Sequence, residues 1–97
     1  MSESEIILNA VCHVTGIPKS AMIARSRTWP VVEARLLLIL FYSRRGWNDF
    51  QTACELKRDR TTILKARHTA EGYISNSKSF QDKFNRIKEI YETAKSV

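Results

Sequence analysis

The sequence predicts an all-α fold, a bundle of five or six helices in one domain spanning residues 1–97, and three observations lead there. Apolar residues recur at three- and four-residue intervals along most of the chain, and no segment alternates apolar and polar as a strand would. Punctuation is sparse, with three glycines and two prolines, and each falls where a helix can begin or end. A hydrophobic content of 43% in 97 residues is enough for a single core without staples.

From the N-terminus, Ser2 and Glu5 have the spacing of a capping box, and Ile6, Ile7, Ala10, Val11 and Val14 then trace one helical face as far as Gly16. Pro18 suits the first turn of a short helix reaching about Ala24, and "RSRT" is a polar connector. Thr28 can cap a third helix with Pro30 near its start. From Val31 to Tyr42 that helix is apolar almost all round, which makes it the central one, and Gly46 stops it. Asn48 can cap a fourth helix carrying Phe50, Ala53, Cys54 and Leu56, with a break at about Lys57 and Arg58. Asp59 can cap a fifth helix from Arg60 to about Ser75. Asn76 to Lys78 reads as a turn, and Ser79 as the cap of a last helix whose Phe80, Phe84, Ile87, Tyr91 and Ala94 share a face. That stripe is expected to close the core rather than form a dimer seam.

The charge is unevenly placed. The net charge is +6, and the span from Arg25 to Arg67 holds ten basic residues against four acidic ones, so the excess lies entirely in the middle of the chain. A basic excess favours polyanionic partners such as nucleic acid. The longest apolar run, Leu36 to Tyr42, is far short of the roughly 20 residues of a membrane span, so no membrane partner is expected. Cys12 and Cys54 lie within apolar helical patterns and are expected to be small buried hydrophobes in a reducing, cytoplasmic setting. His13 and His68 have no metal-ligand spacing with them, and no Ser/His/Asp, Cys/His or carboxylate-pair constellation is present. The expectation is therefore no enzyme, no metal and no cofactor.

The densest basic stretch is "KRDRTTILKARH", residues 57–68. At about 100° per residue, Ile63, Ala66, Ala70, Tyr73 and Ile74 gather on the core side of the fifth helix. The outward side carries Thr61, Lys65, His68 and Gly72, flanked by Arg60 and Leu64. A short helix, a tight turn and then this helix have the order of a helix-turn-helix, whose second helix enters a major groove by its N-terminal end. Arg60 can donate two hydrogen bonds to guanine, threonine methyls suit thymine, and Asp59 can accept from a cytosine amine. Hydroxyls and the helix N-terminus suit phosphate. Lys57, Arg44 and Arg45 are further phosphate candidates, although arginines near a helix C-terminus also complement its dipole. Trp29 and Trp47, beside helix starts, are expected to pack.

"RDRTTIL" resembles the signature "RDHTTVL" of the C-terminal DNA-binding domain, domain IV, of the replication initiator DnaA. The resemblance runs from about Ile6 to Ile74 and includes "ARSRT" followed by "EARLLLILFY", where the family has a basic loop and then a helix opening with "ARQ". It implies a Trp-repressor-like helix-turn-helix fold preceded by a basic loop, binding short double-stranded DNA boxes through both grooves. Carried over by position, it puts Arg27 at the minor groove and Arg35 at the DNA backbone; Arg25 is a further DNA-binding candidate in the same loop. Arg58, Asp59, Thr61 and Thr62 match the signature identically and take its phosphate and base contacts. Arg60 replaces the signature histidine with a long bidentate donor, which shifts the expected preference towards guanine. Leu36 stands for the family's glutamine and Glu33 for a commonly basic residue, both expected to weaken phosphate contact. The turn before Arg58 is one residue shorter than in many members and lacks their glycines.

The sequence thus leads to a standalone, nucleoid-associated, sequence-specific double-stranded DNA-binding protein that regulates transcription or replication initiation. Its expected interface is Arg25, Arg27, Arg35, Lys57, Arg58, Asp59, Arg60, Thr61, Thr62, Lys65 and His68. A homodimer or an initiator protein would be the protein partner. No G-x-x-x-x-G-K-[ST] loop occurs, so neither nucleotide binding nor an ATP switch is expected. The alternative, from another class, is a protein-interaction module that kept the fold and lost specific DNA contact, and Glu33 and Leu36 motivate it.

Overall fold

In a computed structural model, which describes residues 2–96, the chain forms six helices: α1 (Glu3–Thr15), α2 (Lys19–Ile23), α3 (Trp29–Arg44), α4 (Asp49–Leu56), α5 (Arg60–Asn76) and α6 (Lys78–Lys95). No strand occurs among the described residues. Local chemistry sets the boundaries. Ser2 and Glu5 close a capping box on α1, which ends at Gly16 in the left-handed region at φ 73°. Asn48 and Gln51 close a second box on α4. The Asp59 carboxylate accepts from the Thr62 amide at 2.6 Å and starts α5. Thr28 does begin α3, but through its carbonyl, which accepts from Val31 and Val32, while its hydroxyl accepts from Ser26.

Helix α3 is the axis of the molecule. It packs against all five other helices, and its residues from Glu33 to Tyr42 are buried apart from half-buried Arg35. That burial explains the near-continuous apolar run, since a helix covered on every side has no polar face to show. Helix α6 packs along α1, α3 and α5. It inserts Phe80, Phe84, Ile87 and Tyr91, all buried, each worth roughly 1.5–3 kcal/mol of transfer free energy. Phe41 on α3 meets the rings of Phe84 and Tyr91 with centroids 5.5 and 5.2 Å apart. The last helix closes the core.

One carboxylate joins three parts of the chain. Glu3 accepts from Tyr91 Oη at 2.9 Å, from Arg45 Nη2 at 3.2 Å and from Trp47 Nε1 at 3.3 Å. Trp47 also stacks on Tyr42, with rings 4.2 Å apart and nearly parallel, as a packing residue.

Several expectations are corrected. The hydroxyl that caps α6 belongs to Ser77, which accepts from the Phe80 amide, so Ser77 alone separates α5 from α6. Cys54 is exposed and Cys12 only half-buried, both as free thiols, and burial pushes the Cys12 thiol pKa up. Phe50 is 64% exposed. The buried residues of α4 are Thr52, Ala53 and Leu56, and at about 100° per residue Phe50 and Cys54 fall on the opposite side of the helix. Tyr73 lies at the edge of the α5 core stripe, held between Trp29 (5.3 Å) and Phe80 (5.7 Å) rather than buried. Ala94 is exposed. No helix among the described residues is long and apolar enough to cross a membrane.

Candidate nucleic-acid interface

The connector between α2 and α3 contributes little apolar surface. Between residues 17 and 28 only Met22 is fully buried. Two arginines from elsewhere in the chain hold this segment from Met22 to Ser26. Arg35, on α3, donates from Nε to the Met22 carbonyl at 2.8 Å and from Nη2 to those of Ala24 and Ser26 at 2.8 and 3.3 Å. Arg58, in the turn before α5, donates from Nη1 to the Ile23 carbonyl at 2.6 Å and from Nη2 to that of Ala24 at 2.7 Å. Burial, with the charge of Arg58 second, presses the Arg35 pKa down.

The turn between α4 and α5 comprises Lys57, Arg58 and Asp59. Lys57 ends α4 in the left-handed region at φ 55°, the only non-glycine with positive φ among the described residues. The chain thereby reverses quickly enough for Arg58 to reach the loop and Asp59 to cap α5. The hydrogen bond from the Thr62 amide is the main influence on the Asp59 carboxyl and holds it below its usual range.

These connections enclose an open cleft of about 520 Å³ lined by Arg25, Ser26, Arg27, Arg35, Lys57, Arg58, Asp59 and Thr62. On the other side of the first turn of α5 lies a concavity of about 390 Å³, lined by Asn48, Asp49, Phe50, Arg60, Thr61 and Leu64. The start of α5 therefore stands as a ridge between two hollows. Lys65 and His68 continue along its exposed face, together with Thr61 and Gly72. Every residue expected at the interface thus lies on one of three neighbouring features: the cleft, the second hollow, or the exposed face of α5. Contrary to the expectation that every glycine marks a helix boundary, Gly72 lies within α5, and a Cβ there would meet nothing within 4 Å, so that glycine is not required by packing.

The electrostatics separate this surface from the other cations of the middle segment. Arg44, Arg45 and Arg67 pair with Glu71, Glu3 and Asp49 at 3.3, 3.2 and 2.9 Å. Arg25, Arg27, Arg35, Lys57, Arg58, Arg60 and Lys65 have no carboxylate within ion-pairing distance among the described residues. The one acid in the cleft, Asp59, is engaged as a helix cap. Five cations, Arg25, Arg27, Arg35, Lys57 and Arg58, thus line the cleft against this single carboxylate, and such an excess in a concave, water-facing site focuses a positive potential.

The residues that depart from the DnaA pattern in α3 lie elsewhere. Leu36 is buried in the core, and Glu33 is buried and accepts from Lys83 Nζ at 2.6 Å. Five cleft or hollow residues were not legible as such in the sequence, among them Asn48 and Asp49, which read only as the start of α4. Ser26 is one small polar residue in a polar connector, and Phe50 and Leu64, 64% and 37% exposed, belong to apolar patterns that read as core or flank. Comparison with protein-family models, with curated proteins and with solved structures finds no match for this chain.

Proposed function

We propose that this protein binds double-stranded DNA with sequence preference, as a regulator of transcription or replication initiation, reading α4, the Lys57–Asp59 turn and α5 as a helix-turn-helix. The observation that carries this is the cleft of unpaired cations directly beside the exposed N-terminal turn of α5. A phosphate backbone lying in the cleft would release its own condensed counterions as Arg25, Arg27, Lys57 and their neighbours replace them. The ridge would then face base edges with Arg60, Thr61 and Lys65, the donors and methyl that guanine and thymine recognise. The resemblance of "RDRTTIL" and of the preceding loop to DnaA domain IV supports the same assignment. The rival protein-interaction module rested on Glu33 and Leu36, and both are buried away from this surface.

Selection of bound duplexes from a randomised library, at low and at near-physiological salt, tests the proposal. One short motif should survive the higher salt. Arg60→Ala should relax preference at one position and cost about 1–3 kcal/mol of specific binding. Sequence-blind binding that collapses with salt would reject it.

A further inference from the structure

Arg35 and Arg58 come from different parts of the chain, yet their guanidinium groups meet at one atom, the carbonyl oxygen of Ala24, at 2.8 and 2.7 Å. Together they take up four consecutive or near-consecutive carbonyls, those of Met22, Ile23, Ala24 and Ser26. Arginine suits this because its planar fork donates in fixed directions, whereas a lysine ammonium is a point donor on a flexible stem. Ile23 packs half-buried against the core, but from Ala24 to Arg27 the loop has no buried apolar residue to anchor it. Its remaining local bonds are the Ala24 amide to the Ser20 carbonyl, the Ser26 hydroxyl to Thr28 Oγ1 and the Thr28 amide to Ser26 Oγ. Two like charges brought to one acceptor repel, so the arrangement is not one that charge alone would produce. The fork geometry maintains it.

We infer that Arg35 and Arg58 are positioning residues, a two-guanidinium latch that fixes the Ala24–Arg27 loop relative to the start of α5. The inference rests on the DNA-binding reading for its consequence. Arg58 immediately precedes the α5 cap, Asp59, so its hydrogen bonds tie the first turn of α5 to the loop. Arg35 ties the same loop to the central helix α3. Loop and helix are thereby presented as one rigid pair, and Arg27 and Arg60 would meet a duplex at a set separation. The resemblance to DnaA implies instead that these two arginines touch the phosphate backbone, and the two roles predict different behaviour for a lysine. A phosphate ligand tolerates Lys, which keeps the charge. A fork that bridges several carbonyls does not.

The test uses the full-length chain and trypsin, which cuts after Arg25 and Arg27, without DNA. With the latch, Arg35→Lys and Arg58→Lys should each speed cleavage at these two bonds about tenfold while sites within α5 and α6 stay protected. The same variants are then titrated with the selected duplex over a salt series. The latch predicts that Lys is as poor as Gln at either position, with a salt slope close to that of the unsubstituted protein. Lysine variants with unchanged loop cleavage and near-normal affinity, and Gln variants whose slope falls by about 0.9 per lost phosphate contact, would overturn it. Cleavage rising equally at all sites would overturn it too, since the arginines would then support only global stability. If the unsubstituted protein prefers no duplex but the lysine variants still open the loop, the latch stands and the DNA-binding reading fails.

Discussion

Lys57 adopts a backbone conformation that a side chain disfavours, at φ 55° and ψ 44°. A left-handed residue at a helix end is ordinarily glycine, because a Cβ there crowds the following carbonyl. Lysine at this position also lines the cationic cleft, so one residue sets a backbone preference against surface charge. Lys57→Gly should therefore raise unfolding stability by about 0.5–1 kcal/mol in urea titrations. The same change should weaken duplex binding and lower the salt slope by about 1. A variant that lost stability would show that the Lys57 side chain holds the turn. A break near residues 57 and 58 was legible in the sequence, since the apolar pattern of α4 ends and a cap residue comes next. Which residue absorbs the positive φ was not, because without a glycine no residue type marks it. Arg35 and Arg58 stood out in the sequence as candidate interface residues, from the resemblance and the charge. Their bonds to carbonyls were not, since those carbonyls lie 9 to 13 residues away from Arg35 and 34 to 35 away from Arg58.

Among the helices, α3 and α6 were the most legible, because each buries so much apolar surface that its pattern leaves one reading. Helix α6 shows its four buried residues at helical spacing against a mostly polar remainder, and of these Phe84 and Tyr91 meet Phe41 of α3 while Phe80 meets Tyr73 of α5. Phe80→Ala should cost about 3–5 kcal/mol in chemical denaturation, the loss typical of a large aromatic removed from a filled site. Helix α4 was legible as a helix but not in its orientation. It has only eight residues, and both Phe50 with Cys54 and Ala53 with Leu56 make plausible apolar faces. Contact with α3 and α5 chooses the second. At the start of α3, Glu33 stands where a DnaA-type domain commonly has a basic residue. Introducing one by Glu33→Lys would set two ammonium groups together at the Lys83 contact. It should lower stability by on the order of 1–3 kcal/mol, measured by urea unfolding, and leave duplex affinity at low salt unimproved. A gain in affinity would mean that the start of α3 faces the duplex.

For the molecule as a whole, the location of the net charge was legible by counting, but the subset of it that is unpaired was not. The acids that neutralise Arg44, Arg45 and Arg67 lie 27, 42 and 18 residues away, and only folding brings them together. Two of those acids, Glu3 and Asp49, also make stability depend on pH. The hydrogen bond from Tyr91, with those from Trp47 and Arg45 behind it, holds the Glu3 carboxyl below its ordinary range. Arg67 does the same for Asp49, through its hydrogen bond first and its charge second. In the unfolded chain both groups return to ordinary values near about 4. A carboxyl with a depressed folded pKa binds fewer protons folded than unfolded. Its contribution is therefore complete above the ordinary value and is lost as pH falls through that value towards the folded one. The urea midpoint should be level between about pH 7 and pH 5 and should fall below about pH 4. Glu3→Gln should lower the midpoint at pH 7 and make the acid limb shallower, because the group that titrates has been removed. An acid limb as steep as in the unsubstituted protein would mean that Glu3 is not what couples α1, the α3–α4 connection and α6 to the protonation of the chain.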